Sequence, residues 1–107
     1  MDQGDLVTSI GNTLTGLDTQ LMSPDLSNQP AKWQQLYAMR KHLDDQQRTL
    51  LQQKIASDDT NFKVLANSIQ AETTTLNQEI KDMTRIDSII DLVSEISSNL
   101  DQVLNLA

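Results

Sequence analysis

The sequence predicts an all-α fold: an elongated antiparallel coiled-coil helical hairpin, with a short N-terminal helix packed on the C-terminal half of the long last helix. Three observations carry this expectation. No Gly or Pro follows Pro30, so no strong helix breaker interrupts the chain beyond that point. Apolar residues recur at heptad spacing on both sides of one polar cluster, Ser57 to Asn61. The 107 residues are 37% hydrophobic yet include one Trp, one Tyr and one Phe; a core made of Leu, Ile and Val suits thin helical packing in a single domain, 1–107, better than a thick globule.

The first element is a helix over about residues 5–22, where Leu6, Val7, Ile10, Leu14, Leu17 and Leu21 recur at helical spacing. Its glycines make it the weakest helix, each costing about 1 kcal/mol relative to Ala. Residues 23–30, SPDLSNQP, form a loop in which Pro24 and Pro30 sit among Ser, Asp and Asn, and Pro30 suits the first turn of a helix over about 30–56. Residues 57–61, SDDTN, all prefer caps and turns, so the hairpin turns there. A long helix over about 61–105 follows.

The hairpin rests on a register. Downstream of the turn, Phe62, Ile69, Leu76, Met83, Ile90, Ser97 and Leu104 share one heptad position, and Leu65, Glu72, Glu79, Ile86, Val93, Leu100 and Ala107 the other. Folding the chain about Asp59 and Thr60 sets Trp33 opposite Ile86, Leu36 opposite Met83, Leu43 opposite Leu76 and Leu50 opposite Ile69. The polar seam residues then also pair, Arg40 with Glu79 and Gln47 with Glu72, leaving Lys54 opposite Leu65 near the hairpin end. The alternative is a four-helix bundle with a break near Thr84.

The closing stretch, SIIDLVSEISSNLDQVLNLA, overhangs the hairpin, and its stripe widens because Ile89, Ile96 and Val103 flank the seam of Ile90, Val93, Leu100 and Leu104. A wide stripe calls for more than one neighbour. The first helix is the obvious one, with Leu6 on Leu104, Ile10 on Leu100, Leu14 on Ile96, Leu17 on Val93 and Leu21 on Ile89. The edge formed by Ile89, Ile96 and Val103 is then left for a second copy of the chain or a foreign, basic protein, unless the first helix covers it alone. Trp33 and Tyr37, one helical turn apart, form the other candidate contact pair, of residue types enriched in interface hot spots; the commoner meaning of such a pair is a cap on the hairpin core beneath the loop.

Charge narrows the functional classes. The net charge is −7, and all eight basic residues lie between Lys32 and Arg85, leaving both ends purely acidic. Nucleic acid needs a basic face and an interfacial membrane helix needs Lys or Arg on its polar side, so neither is an expected partner. No apolar run approaches a membrane span, and MDQGDLVTSIG lacks the basic start and apolar stretch of a signal peptide. The expected location is therefore cytoplasmic, with signal-less export by a specialised machine left open.

Catalytic signatures are wanting. The absence of Cys removes disulfides and thiol chemistry, and the chain has no Gly-rich phosphate loop and no nucleophile elbow. His42 and Asp45, one turn apart, could both reach a metal, but a single His is too few for a di-iron bundle, and a solvated helix face is the commoner meaning. Asp87, Asp91 and Glu95 line one face without the order of a calcium loop. No enzyme activity, cofactor or metal is expected. The expected function is a non-enzymatic protein-protein interaction module: a small helical adaptor, secretion chaperone or toxin-neutralising protein. A second expectation is a self-assembling structural subunit. The helix, Pro-Asp loop, helix plan with SPDLSNQP in the loop is similar to that of type III secretion needle subunits over roughly half of the chain, which implies such a subunit; the further turn at SDDTN departs from it.

Overall fold

The computed structural model describes residues 2–56, 58–81 and 86–106. Among them the protein is all-helical: α1 (Gln3–Leu21), α2 (Pro24–Ser27), α3 (Pro30–Gln52), α4 (Thr60–Lys81) and α5 (Ile86–Leu104). Local chemistry sets most of the helix starts. The Asp2 side chain accepts from the Asp5 backbone N–H at 2.8 Å, and Asp5 accepts in return from Asp2 N–H at 3.0 Å, a reciprocal box that opens α1. Pro24 and Pro30 occupy the first turns of α2 and α3, where the missing N–H costs nothing. Asp59 accepts from Phe62 N–H at 2.9 Å and caps α4.

The four long helices pack as a bundle, α1 against α3 and α4, and α5 against α3 and α4. Contacts along each pair give the directions. Gln3, Val7, Asp18 and Leu21 of α1 bond to groups on Leu50, Gln47, Arg40 and Trp33 of α3, respectively, so these helices run antiparallel. Lys32 meets Asp87, and Gln46 meets Ser97 and Asp101, so α3 and α5 run parallel. Asp5, Thr8 and Ser9 border a groove with Gln70 while Gly16 lies against Asn77 and Ile80, so α1 and α4 are also parallel. It follows that α4 and α5 are antiparallel, with α1 and α5 on one diagonal and α3 and α4 on the other.

This arrangement replaces the expected hairpin. A single helix over 61–105 would run roughly 67 Å at the helical rise, whereas the molecule measures 44 Å along its longest axis, and α4 and α5 lie side by side. The alternative break near Thr84 falls outside the described residues, as does Met83, the expected partner of Leu36. Leu43, Leu76, Leu50 and Ile69 are all fully buried in the common core, but α3 and α4 are not packed neighbours. Arg40 pairs with Asp18 rather than Glu79, Gln47 bonds to the Val7 carbonyl rather than Glu72, and Glu72 bonds to Asn99.

The first helix is likewise not seated on the last. Charge gives a physical reason: α1 and α5 carry acids and no bases, and each gains opposite charge by lying beside α3, where Arg40 reaches Asp18 and Lys32 reaches Asp87. The core is aliphatic apart from Phe62 and runs through all four helices, from Leu6, Ile10 and Leu17 to Ile89, Ile96 and Val103. Gly16 of α1 faces α4, where an added Cβ would stand 2.9 Å from Asn77 Oδ1, the end of a side chain that can turn aside. At the far end Gln3 ties down the crossing from α3 to α4: its amide donates to the carbonyls of Leu50 and Gln53, and its oxygen accepts from Ile55 N–H at 3.1 Å.

Candidate functional site

The residues expected to contact a partner separate into two groups. Ile89, Ile96 and Val103 are fully buried in the bundle core. The wide stripe of α5 is met within the chain, because α3 and α4 both pack on it, and no apolar edge of these three residues is left outside. Trp33 and Tyr37 lie together on α3, their rings stacked with centroids 5.3 Å apart and planes within 8°.

This aromatic pair forms a corner where α1, α2 and α3 meet. The Trp33 indole N–H donates to the Leu21 carbonyl at 2.8 Å, satisfying a carbonyl orphaned at the end of α1 and locking the ring. Tyr37 lies on the locked ring and remains 49% exposed, and Met22, just past α1, is 76% exposed. Ser27, Pro30, Trp33 and Gln34 line an adjoining cleft of about 360 Å³. Leu26 of α2, fully buried, anchors the short helix that forms the other side of this corner.

A second concavity runs between α3 and α5, a groove of about 430 Å³ lined by Ala38, Met39, His42, Ser94, Ser97, Ser98 and Asp101. Two of its lining residues, Ser97 and Asp101, are held by Gln46, which is 4% exposed. The Gln46 amide donates to the Ser97 carbonyl at 3.0 Å and to Asp101 Oδ1 at 2.7 Å, and its oxygen accepts from the Ser97 hydroxyl at 2.9 Å. A buried amide with its bonds made is inexpensive, whereas an unpaired one is costly. Nothing in the heptad pattern distinguishes Gln46 from a surface glutamine; only its place one turn from Leu43 and Leu50 hints at burial.

Most of the remaining ionisable groups are exposed, with Glu72 and Glu79 of α4 partly buried. His42 lies at the rim of the α3–α5 groove and Asp45 is exposed, and among the described residues no cluster of His, Asp or Glu gathers to hold a metal ion. Asp87 pairs with Lys32 at 2.8 Å. Glu95 approaches Glu72 across α4 and α5, where burial raises the Glu72 carboxyl above its ordinary range. The Asn99 amide, 2.7 Å from Glu72, offsets part of that rise, and the Glu95 carboxyl adds to it. Among the described residues no helix is long and apolar enough to cross a membrane. Comparison with protein-family models, curated proteins and solved structures finds no match to the chain.

Proposed function

We propose that the chain is a non-enzymatic protein-protein interaction module, of the adaptor, secretion-chaperone or toxin-neutralising kind, that engages its partner through the corner of Met22, Trp33 and Tyr37. The observation that carries this reading is the pre-formed aromatic stack, with Trp33 pinned to Leu21 and Tyr37 half-exposed above it. Rigid aromatic anchors contribute contact area at little cost in side-chain entropy, and binding hot spots concentrate in such residues. The adjoining cleft beside Pro30 offers a receptacle for one side chain of the partner.

Photo-crosslinking tests it. A photoreactive phenylalanine analogue placed at Tyr37 should capture one discrete partner in cells, and the same analogue at exposed Gln70 on α4 should not. Equal, diffuse capture from both positions rejects the reading, and capture of a second copy of the chain identifies the partner as itself. Trp33 is the sole Trp, so its emission reports occupancy of the corner directly.

A further inference from the structure

We infer that Gln3 is a latch between two segments far apart in sequence, the first half of α1 and the crossing from α3 to α4 at residues 53–56, so that the two open as one unit while the rest of the bundle stays closed. The latch is one side chain with three bonds. Its amide donates to the carbonyls of Leu50 and Gln53, the latter at 2.7 Å, and its oxygen accepts from Ile55 N–H at 3.1 Å. All three bonds are part-buried and join residues 47 to 52 positions apart.

The crossing leans on this contact because it has little structure of its own. Gln53 leaves α3 in extended backbone, with φ −96° and ψ 159°, and the last turn of α3 has no base to meet its final carbonyls. The Gln3 amide takes that place. Lys54 and Ala56 are exposed, leaving Ile55 to pack on the core. Without Gln3, the Gln53 carbonyl and Ile55 N–H must either stay unpaired in a half-buried place or turn out to water, and turning out moves the crossing. Gln53 Oε1 is in addition buried with no hydrogen-bond partner among the described residues, a cost of the closed form that opening removes.

The first half of α1 is equally conditional. It holds Gly4 and Gly11, and glycine loses more conformational entropy on entering a helix than any other residue. Besides Gln3, it is tied to α3 by the Gln47 amide on the Val7 carbonyl at 3.0 Å and by the burial of Leu6 and Ile10. The second half of α1 is fastened separately, by the Arg40 fork on Asp18 and by the Trp33 bond to Leu21. The other helices need not follow when the start of α1 lifts, because α5 packs on both α3 and α4 and holds them together. Opening bares Leu6, Ile10 and Leu50 at the end of the molecule opposite the aromatic corner, so the device is independent of recognition there.

Amide hydrogen exchange, followed by NMR on the intact chain, tests the latch. In the parent, Val7, Ile10 and Gln53 should exchange through one shared opening, about tenfold or more faster than Leu43 and Leu76. Gln3→Ala should quicken all three by the same factor, about tenfold for the part-buried bonds lost. Lys54→Gly and Ala56→Gly, at exposed positions, leave Gln3 and α1 untouched and loosen only the crossing. Coupling is reciprocal, so Val7 and Ile10 should quicken as much as Gln53 does, about two- to fivefold. Thr19 and Gln20, in the separately fastened last turn of α1, should keep their parent rates. Val7 and Ile10 unmoved by both glycine variants would overturn the inference. So would a parent in which they exchange no faster than Leu43 and Leu76, since α1 would then open only with the whole bundle.

Discussion

Arg40 of α3 grips Asp18 of α1 with two parallel bonds, Nε to Oδ1 at 2.9 Å and Nη2 to Oδ2 at 3.1 Å. The guanidinium also lies 3.9 Å from Asp44 on its own helix, which in turn pairs with Arg48 at 3.0 Å. This small network marks α1 as the neighbour of α3. Asp18 is half-exposed, so solvent screens the pair and limits its contribution. A double-mutant cycle of Arg40→Ala and Asp18→Ala should give a coupling of about 0.5–1 kcal/mol. The matching cycle of Arg40 with Glu79 should be additive, and coupling there instead would restore the hairpin.

Gln46 links α3 to α5 from inside. Replacing it by Ala removes the partner of the Ser97 hydroxyl and of Asp101 Oδ1 together, so the expected loss is about 1–3 kcal/mol, larger than the typical surface substitution. Ser97→Ala takes away one bond and leaves Gln46 its two acceptors; it should cost less. Urea unfolding of the two variants checks the order, and equal losses would mean that the amide is not the centre of the contact.

Much of the helix content can be read from residue spacing, and the neighbour relations cannot. The stripe Leu6, Ile10, Leu14, Leu17 and the heptad Leu36, Leu43, Leu50 mark the buried faces of α1 and α3, all of them now in the core. A heptad stripe, however, records that a face is covered and not which helix covers it. Arg40 has a plausible acidic partner on α4 and an actual one on α1, and the sequence offers both. No Gly or Pro separates Lys81 from Ile86, so the division between α4 and α5 carries no breaker signal. The same ambiguity made the α5 stripe read as an exposed edge. Tyr37 is the reverse case: its type and its spacing from Trp33 marked the two as a candidate contact pair, but their stacking and the bond from Trp33 to Leu21 depend on an arrangement that spacing does not encode.

Glu72 makes the α4–α5 contact sensitive to pH. Its carboxyl is raised, by burial first and with Glu95 adding to it, so the folded state holds a proton that the unfolded chain releases at lower pH. Stability from this group is therefore fully present below the ordinary carboxylate range and is lost as pH rises through the raised value. Glu72→Gln, which keeps an oxygen for the Asn99 amide, should flatten that part of the stability profile and leave the variant more stable than the parent at neutral pH. A denaturation series across mildly acid to neutral pH measures it; parallel profiles for parent and variant would remove Glu72 as the cause.

The Trp33 bond to Leu21 ends α1. Trp33→Phe preserves an aromatic ring against Tyr37 and deletes only the indole donor, so the expected loss is about 1 kcal/mol. The effect should be local, with amide hydrogen exchange accelerating over the last turn of α1 while Leu43 and Leu76 stay protected. Uniform acceleration through the bundle would show instead that the corner is part of the global core.

Ile96 separates a core from a docking face most sharply. It is fully buried on α5, together with Ile89 and Val103, in a bundle whose four helices all contribute to the same apolar interior. An Asp at that position would place a carboxylate among aliphatic side chains with no water to solvate it, and would also delete the packing of the isoleucine. Ile96→Asp should therefore cost about 4 kcal/mol or more and unfold much of the chain. Tyr37→Ala, by contrast, removes a half-exposed ring whose stacking contributes about 1 kcal/mol, and should leave the helical content intact while abolishing capture of the partner. Circular dichroism and sedimentation of both variants check the pair: a folded Ile96→Asp chain that loses only an association would return the α5 stripe to the surface, whereas an unfolded one alongside a folded, non-binding Tyr37→Ala chain places recognition at the aromatic corner.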